Sequence, residues 1–203
     1  MKTYTVFPNS SLSSKSYYSE KFRSLGLNTF HDACHYVHEL PYGYNSTRED
    51  GLIIFKEGYG SCTTKHGVIA ALAEELNFPV YKMIGIYGMT EELVTGTKNI
   101  LEKYHLPYIP MVHCFLSYDS HYVDLTLGNA TGKNHPIDEF LIIKKVSPMI
   151  SEKEEYILYK RSLENQILQR KEMVGIQLRD VLHARAEGIK LLHSKVDSKI
   201  KSK

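Results

Sequence analysis

Three residues of complementary chemistry fall in recognisable frames: Cys62 in Gly60-Ser61-Cys62-Thr63-Thr64-Lys65-His66, then His113, then Asp124 in Tyr122-Val123-Asp124-Leu125-Thr126. A thiol, an imidazole and a carboxylate are the set that thiol-based acyl transfer needs. The thiolate attacks a carbonyl, the imidazole moves protons, and the carboxylate fixes the imidazole tautomer and stabilises its positive form. The thiol stays a nucleophile near neutral pH only where its surroundings favour the thiolate.

The flanks of Cys62 supply such surroundings. Gly58 and Gly60 interrupt the run Leu52-Ile53-Ile54-Phe55, and Ser61 reads as the N-cap of a helix through Val68, Ile69, Leu72, Ala73 and Leu76, to about Asn77. Cys62 then stands in the first turn, where unpaired N–H groups and the positive end of the helix dipole favour a thiolate and a developing oxyanion. The competing reading makes Cys62 a small buried apolar residue.

The histidine and the aspartate are connected by strand parity. Met111 to Tyr118 and His121 to Leu127 read as two strands joined at Asp119-Ser120. A two-residue turn pairs Tyr118 with His121 and sets Asp124 opposite Phe115. His113 becomes the diagonal neighbour of Asp124 on the same face, at roughly 7–8 Å between backbones. His121 points to the other face. The face carrying Val112, Cys114, Leu116, Val123, Leu125 and Leu127 is apolar, and the expectation is that C-terminal helices cover it while the Cys62 helix covers the His113 face.

Other residues compete for the same roles. His66, one helical turn after Cys62, could take the thiol proton, but no carboxylate is evident to orient it, and it reads as a buried supporting residue. The backbone N–H of Cys62 is the first oxyanion donor, with Asn45 and Tyr59 as candidates for a second. His31, Cys34, His35 and His38 share one side of a helix and resemble a zinc set. One straight helix cannot surround a metal tetrahedrally, so Cys34 is read as core and no metal is expected. Lys190, Lys195, Lys199, Lys201 and Lys203 form a basic end, but a net charge of +2 gives little ground for a nucleic-acid partner.

Taken together, these segments resemble the transglutaminase-like superfamily of papain-fold cysteine enzymes. Leu40-Pro41-Tyr42-Gly43-Tyr44-Asn45-Ser46, Cys62 to His66, and Tyr108-Ile109-Pro110 before His113 look like a small bacterial branch of it. The resemblance covers about residues 28 to 130. It implies an α+β fold with a nucleophile helix packed on an antiparallel sheet, Cys62 as nucleophile, His113 as general base and acid, and Asp124 as the orienting carboxylate. It implies no metal or organic cofactor. Crosslinking transglutaminases carry Trp after the cysteine, whereas Thr63 stands here in a chain without any Trp, and nothing resembles their calcium sites. Hydrolysis of an amide or ester, or transfer to a small amine, is expected before protein crosslinking. The substrate is expected to be a peptide, a protein or a small-molecule amide. A catalytically inactive, partner-binding module of the same fold is the alternative.

Elements must position these groups. At 203 residues and 42% hydrophobic, the chain reads as one domain over 1–203, with a core at 28–146 and helices at 151–203 packed on it. Residues 10–25 read as an irregular or weakly helical lead-in. Asn28 reads as the cap of a helix to about Leu40, and Leu52 to Phe55 as a short buried strand or turn. Further strands are expected at 80–87 and 140–146, a helix at 98–104 and two terminal helices divided near Gly175. Three cysteines in no paired spacing, no signal-like N-terminus and no membrane-length apolar run give the expectation of a cytoplasmic, soluble enzyme.

Overall fold

In the computed structural model, residues 3–12 and 15–200 are described, without the side chains of 198–200. Residues 13 and 14 of the expected lead-in lie outside the described residues, as do Met1, Lys2 and, of the basic end, Lys201, Lys203 and the side chain of Lys199. The described chain is mixed α/β, with α1 Tyr17–Arg23, α2 Phe30–Glu39, α3 Ile53–Glu57, α4 Cys62–Glu75, α5 Thr97–Tyr104, α6 Glu152–Ser162 and α7 Leu178–Ile200. The strands β1 Tyr81–Met89, β2 Ile109–Tyr118, β3 His121–Val123 and β4 Ile142–Lys145 form an antiparallel sheet in the order β3-β2-β1-β4.

Helix starts are set by specific side chains. Thr29, not Asn28, caps α2: its Oγ1 accepts the Asp32 N–H at 3.1 Å, and Asp32 Oδ2 accepts the Thr29 N–H at 2.9 Å. The Thr29 side chain first, and then the N–H groups of Asn28 and Thr29, hold the Asp32 carboxyl below its usual pKa. The Glu75 carboxylate at the end of α4 accepts the N–H groups of Tyr18 and Ser19, fastening α1 to it. Where a short strand or turn was expected at Leu52 to Phe55, Leu52 is the N-cap of the helix Ile53–Glu57: Asp50 Oδ1 accepts the Leu52 N–H at 2.9 Å, and Gly58, at φ 72°, ends α3 in the left-handed region. An apolar run of four without alternation does not distinguish the two outcomes.

Two compact units are present: 1–84 with 114–129 and 144–151, and 85–113 with 130–143 and 152–203. In the first, Phe30, Ala33, Cys34 and Val37 of α2 join Val68, Ile69 and Leu72 of α4 and the hairpin residues Leu116, Val123 and Leu125 in one core. In the second, α7 packs along α5. A Cβ at Gly188 of α7 would come within 2.8 Å of Met89 Cε and 3.5 Å of Met111 Sδ. Tyr159 of α6 donates its hydroxyl to the Pro110 carbonyl at 2.8 Å.

These contacts correct the expected layering. Leu116, Val123 and Leu125 pack in one cluster with residues of α2 and α4, although α4 was expected on the His113 face. Parity separated the two faces correctly but carried no information on which helix takes which face.

Candidate functional site

Cys62 is the first residue of α4, following the N-cap Ser61, and its side chain is nearly enclosed at 8% exposure. All three cysteines are thiols and all are buried. Burial alone pushes the Cys34 thiol well above its usual pKa.

A folded-back loop shapes the approach to Cys62. Gly60 pairs with Tyr42 in a short parallel bridge, its N–H bonding the Pro41 carbonyl at 3.1 Å and its carbonyl accepting the Gly43 N–H at 3.2 Å. Gly43 has to lack a side chain, because a Cβ there would lie 2.5 Å from the Tyr59 ring. Asn45 ties the loop together. Its Oδ1 accepts the Thr64 hydroxyl at 2.7 Å and the Ser61 N–H at 3.3 Å, while its Nδ2 donates to Glu57 at 2.7 Å and to the Tyr59 carbonyl at 3.0 Å. Bonds from Ser46 and then Asn45 hold the Glu57 carboxyl below its usual pKa. Both candidates for a second oxyanion donor are therefore engaged within the loop: both amide hydrogens of Asn45 are used, and Tyr59 bonds Glu57.

The hairpin adopts the register that the turn predicts: Tyr118 opposite His121, Ser117 opposite Tyr122 and Leu116 opposite Val123. Continued one step, it sets Asp124 against Phe115, two residues from His113 on the same pleat. The ladder itself stops at Val123, so the second strand is shorter than the expected 121–127. His113 is buried in β2 and closes the 85–113 segment of the second unit; Cys62 and Asp124 belong to the first. Cys114, next to His113, brings its Sγ to 3.5 Å from Oγ1 of Thr63, next to Cys62, so β2 runs beside the first turn of α4 at this point.

Asp124 opens a tight turn. Its Oδ1 accepts both the N–H and the hydroxyl of Thr126, each at 2.7 Å, an aspartate bonding its own backbone two residues on. The same oxygen lies 3.3 Å from Nε2 of His66. His66 thus has a carboxylate beside it, contrary to the expectation from sequence. That contact is not an ion pair. The Leu125 N–H donates to His66 Nε2 at 2.8 Å, so this nitrogen carries no proton, and Nδ1 carries the hydrogen that it donates to the Cys62 carbonyl at 2.7 Å. His66 is a neutral clamp between the first turn of α4 and the segment after β3.

Lys65 completes the clamp, and sequence reasoning gave it no role. It is fully enclosed, and its ammonium donates to the carbonyls of His38 and Leu40 at 3.0 and 2.8 Å and to Asn129 Oδ1 at 3.0 Å. A lysine three residues after the nucleophile, inside an apolar helical run, was the available signal. Among the described residues no three His, Cys, Asp or Glu side chains are grouped to hold a metal. His31, His35 and His38 instead surround the ring of Tyr4, whose hydroxyl meets His35 Nδ1 at 3.0 Å. No helix among the described residues is long and apolar enough to cross a membrane.

Comparison of the chain with protein-family models, with curated proteins and with solved structures gave no match.

Proposed function

We propose that this protein is a thiol acyl-transfer enzyme of transglutaminase-like, papain-type fold that hydrolyses an amide or ester through a thioester on Cys62. The observation that carries the reading is how the start of α4 is held on the hairpin: Thr63 Oγ1 lies 3.5 Å from Cys114 Sγ, and His66 accepts the N–H of Leu125, the residue after Asp124.

The roles follow from the chemistry. The Cys62 thiolate attacks the carbonyl and forms the thioester. The His113 imidazolium gives its proton to the leaving amine or alcohol. As neutral imidazole it then takes a proton from water, which attacks the thioester, releases the acid and restores the thiolate. Asp124, whose Oδ1 accepts from the N–H and the hydroxyl of Thr126, is the carboxylate that this reading gives the orienting role. The oxyanion is assigned to the N–H groups of the first turn of α4, beginning with that of Cys62, because Asn45 and Tyr59 are committed to the loop. Neither a metal nor an organic cofactor has a step in this sequence.

Hydrolysis is preferred over crosslinking because Thr63 stands where crosslinking enzymes carry Trp, and its hydroxyl is turned toward Cys114. Incubation with amide-mimicking electrophiles should give a single adduct on Cys62. A glutamine-containing protein and a labelled primary amine should give little incorporation beside release of ammonia. Efficient incorporation of the amine would overturn the hydrolytic assignment, and an adduct elsewhere would overturn the nucleophile.

A further inference from the structure

The segment from Asp124 to Asn129 has left the β-ladder, yet it must hold a carboxylate in a fixed place if the proposed chemistry is to run. Four side chains of the first unit restrain it. His66 accepts the Leu125 N–H, His38 Nδ1 donates to the Leu125 carbonyl at 3.2 Å, and Asn129 Nδ2 donates to the His38 carbonyl at 3.2 Å. Lys65 binds that His38 carbonyl, the Leu40 carbonyl and Asn129 Oδ1 together. The ammonium therefore joins three parts of the chain that touch nowhere in sequence: the nucleophile helix, the C-terminal end of α2 and the end of the Asp124 segment.

We propose that Lys65 is the positioning residue of the Asp124 segment and that loss of its proton loosens the segment, giving the enzyme a built-in alkaline limit. The proposal rests on the acyl-transfer reading for its catalytic meaning and on the geometry alone for its structural part.

An ammonium offers three hydrogens and all three are used; the neutral amine offers two, without the charge that strengthens them. The carbonyls at the end of α2 are also the negative end of a helix dipole, which suits a cation. The charged groups facing Lys65 are Asp124 from the segment and Glu39 from α2, both favouring the ammonium, while His66 beside it is neutral. Burial works against them and brings the lysine pKa down to about 8. An ordinary lysine titrates at 10.5. Between the two values the unfolded chain binds more protons, so global stability should rise with pH across this window. The fold thus carries the ammonium at neutral pH at a cost to its own stability. Local order and global stability are then expected to respond to pH in opposite directions.

The test is amide hydrogen exchange at Thr126 and Asn129, corrected for the intrinsic pH dependence of exchange, together with urea unfolding from pH 7 to 10. In the wild type, protection of these two amides should fall about tenfold through pH 8 while global stability holds or rises. In Lys65→Met, protection should already be low at pH 7 and show no step. A flat profile in the wild type overturns the proposal, as does full protection in a folded Lys65→Met. If Lys65→Met does not fold, the wild-type profile alone decides. Alkylation of Cys62 in the same samples separates the two ideas. A reactive Cys62 with a flat exchange profile removes Lys65 from the mechanism and leaves the enzyme. An exchange step with an unreactive Cys62 removes the enzyme and leaves the tie.

Discussion

At His66 both ring nitrogens are used by the backbone, one accepting from Leu125 and one donating to Cys62. A base must have a nitrogen available for the proton it takes, so the proposed reading gives that task to His113 and not to His66. His66→Ala removes an acceptor and a donor from a fully enclosed site. It should lower stability by about 2–4 kcal/mol in urea unfolding, with little change in the pH at which Cys62 begins to alkylate. A small loss of stability with a clear upward shift of that pH would make His66 the base. Cys62, His113 and Asp124 stood out in the sequence because acyl-transfer chemistry restricts the residue types that can serve it. The partners of Asp124 were half legible: Thr126, two residues on, is a local bond that spacing reveals. Lys65 was not, since its three acceptors come from residues 25 to 64 positions away.

Among the elements, those written in local chemistry came out as expected. α4 begins at Cys62, the hairpin turns at Asp119-Ser120, and Gly175, at φ 85°, lies between α6 and α7. Two went differently for local reasons. Thr29 took the cap because its N3 residue, Asp32, can answer it, and Leu52 to Phe55 coiled because Asp50 and Gly58 bracket it. The choice of which helix covers which face of the hairpin depends on long-range packing and left no mark in the periodicity. α4 itself is constrained at Gly67, where a Cβ would lie 2.8 Å from the Pro148 carbonyl oxygen. Gly67→Ala should gain about 1 kcal/mol of helix propensity and lose more to the displaced backbone, for a net destabilisation of about 1–3 kcal/mol by thermal or urea unfolding. A net stabilisation would mean that the 144–151 segment gives way freely and does not support the nucleophile helix.

For the whole molecule, the sequence suggested a single domain, and the contacts divide into two compact units, each with its own helices and both drawing on β1 and β2. The C-terminal helices belong to the unit built on 85–113, where α7 packs along α5 and Tyr159 of α6 bonds the Pro110 carbonyl. The three cysteines sample different parts of this architecture. Cys34 is sealed in the α2–α4 core and its thiol pKa is pushed far up, Cys114 is sealed on the inward pleat of β2, and Cys62 stands at a helix start with a little exposure. One experiment on the intact protein compares them directly: native-state alkylation as a function of pH, with each site quantified by mass spectrometry. The account predicts that Cys62 reacts first and keeps its rate well below pH 8, that His113→Ala moves the onset upward, and that Asp124→Ala does so by less. A Cys62 that reacts no faster than Cys34 or Cys114 would contradict the assignment of this protein as a thiol enzyme.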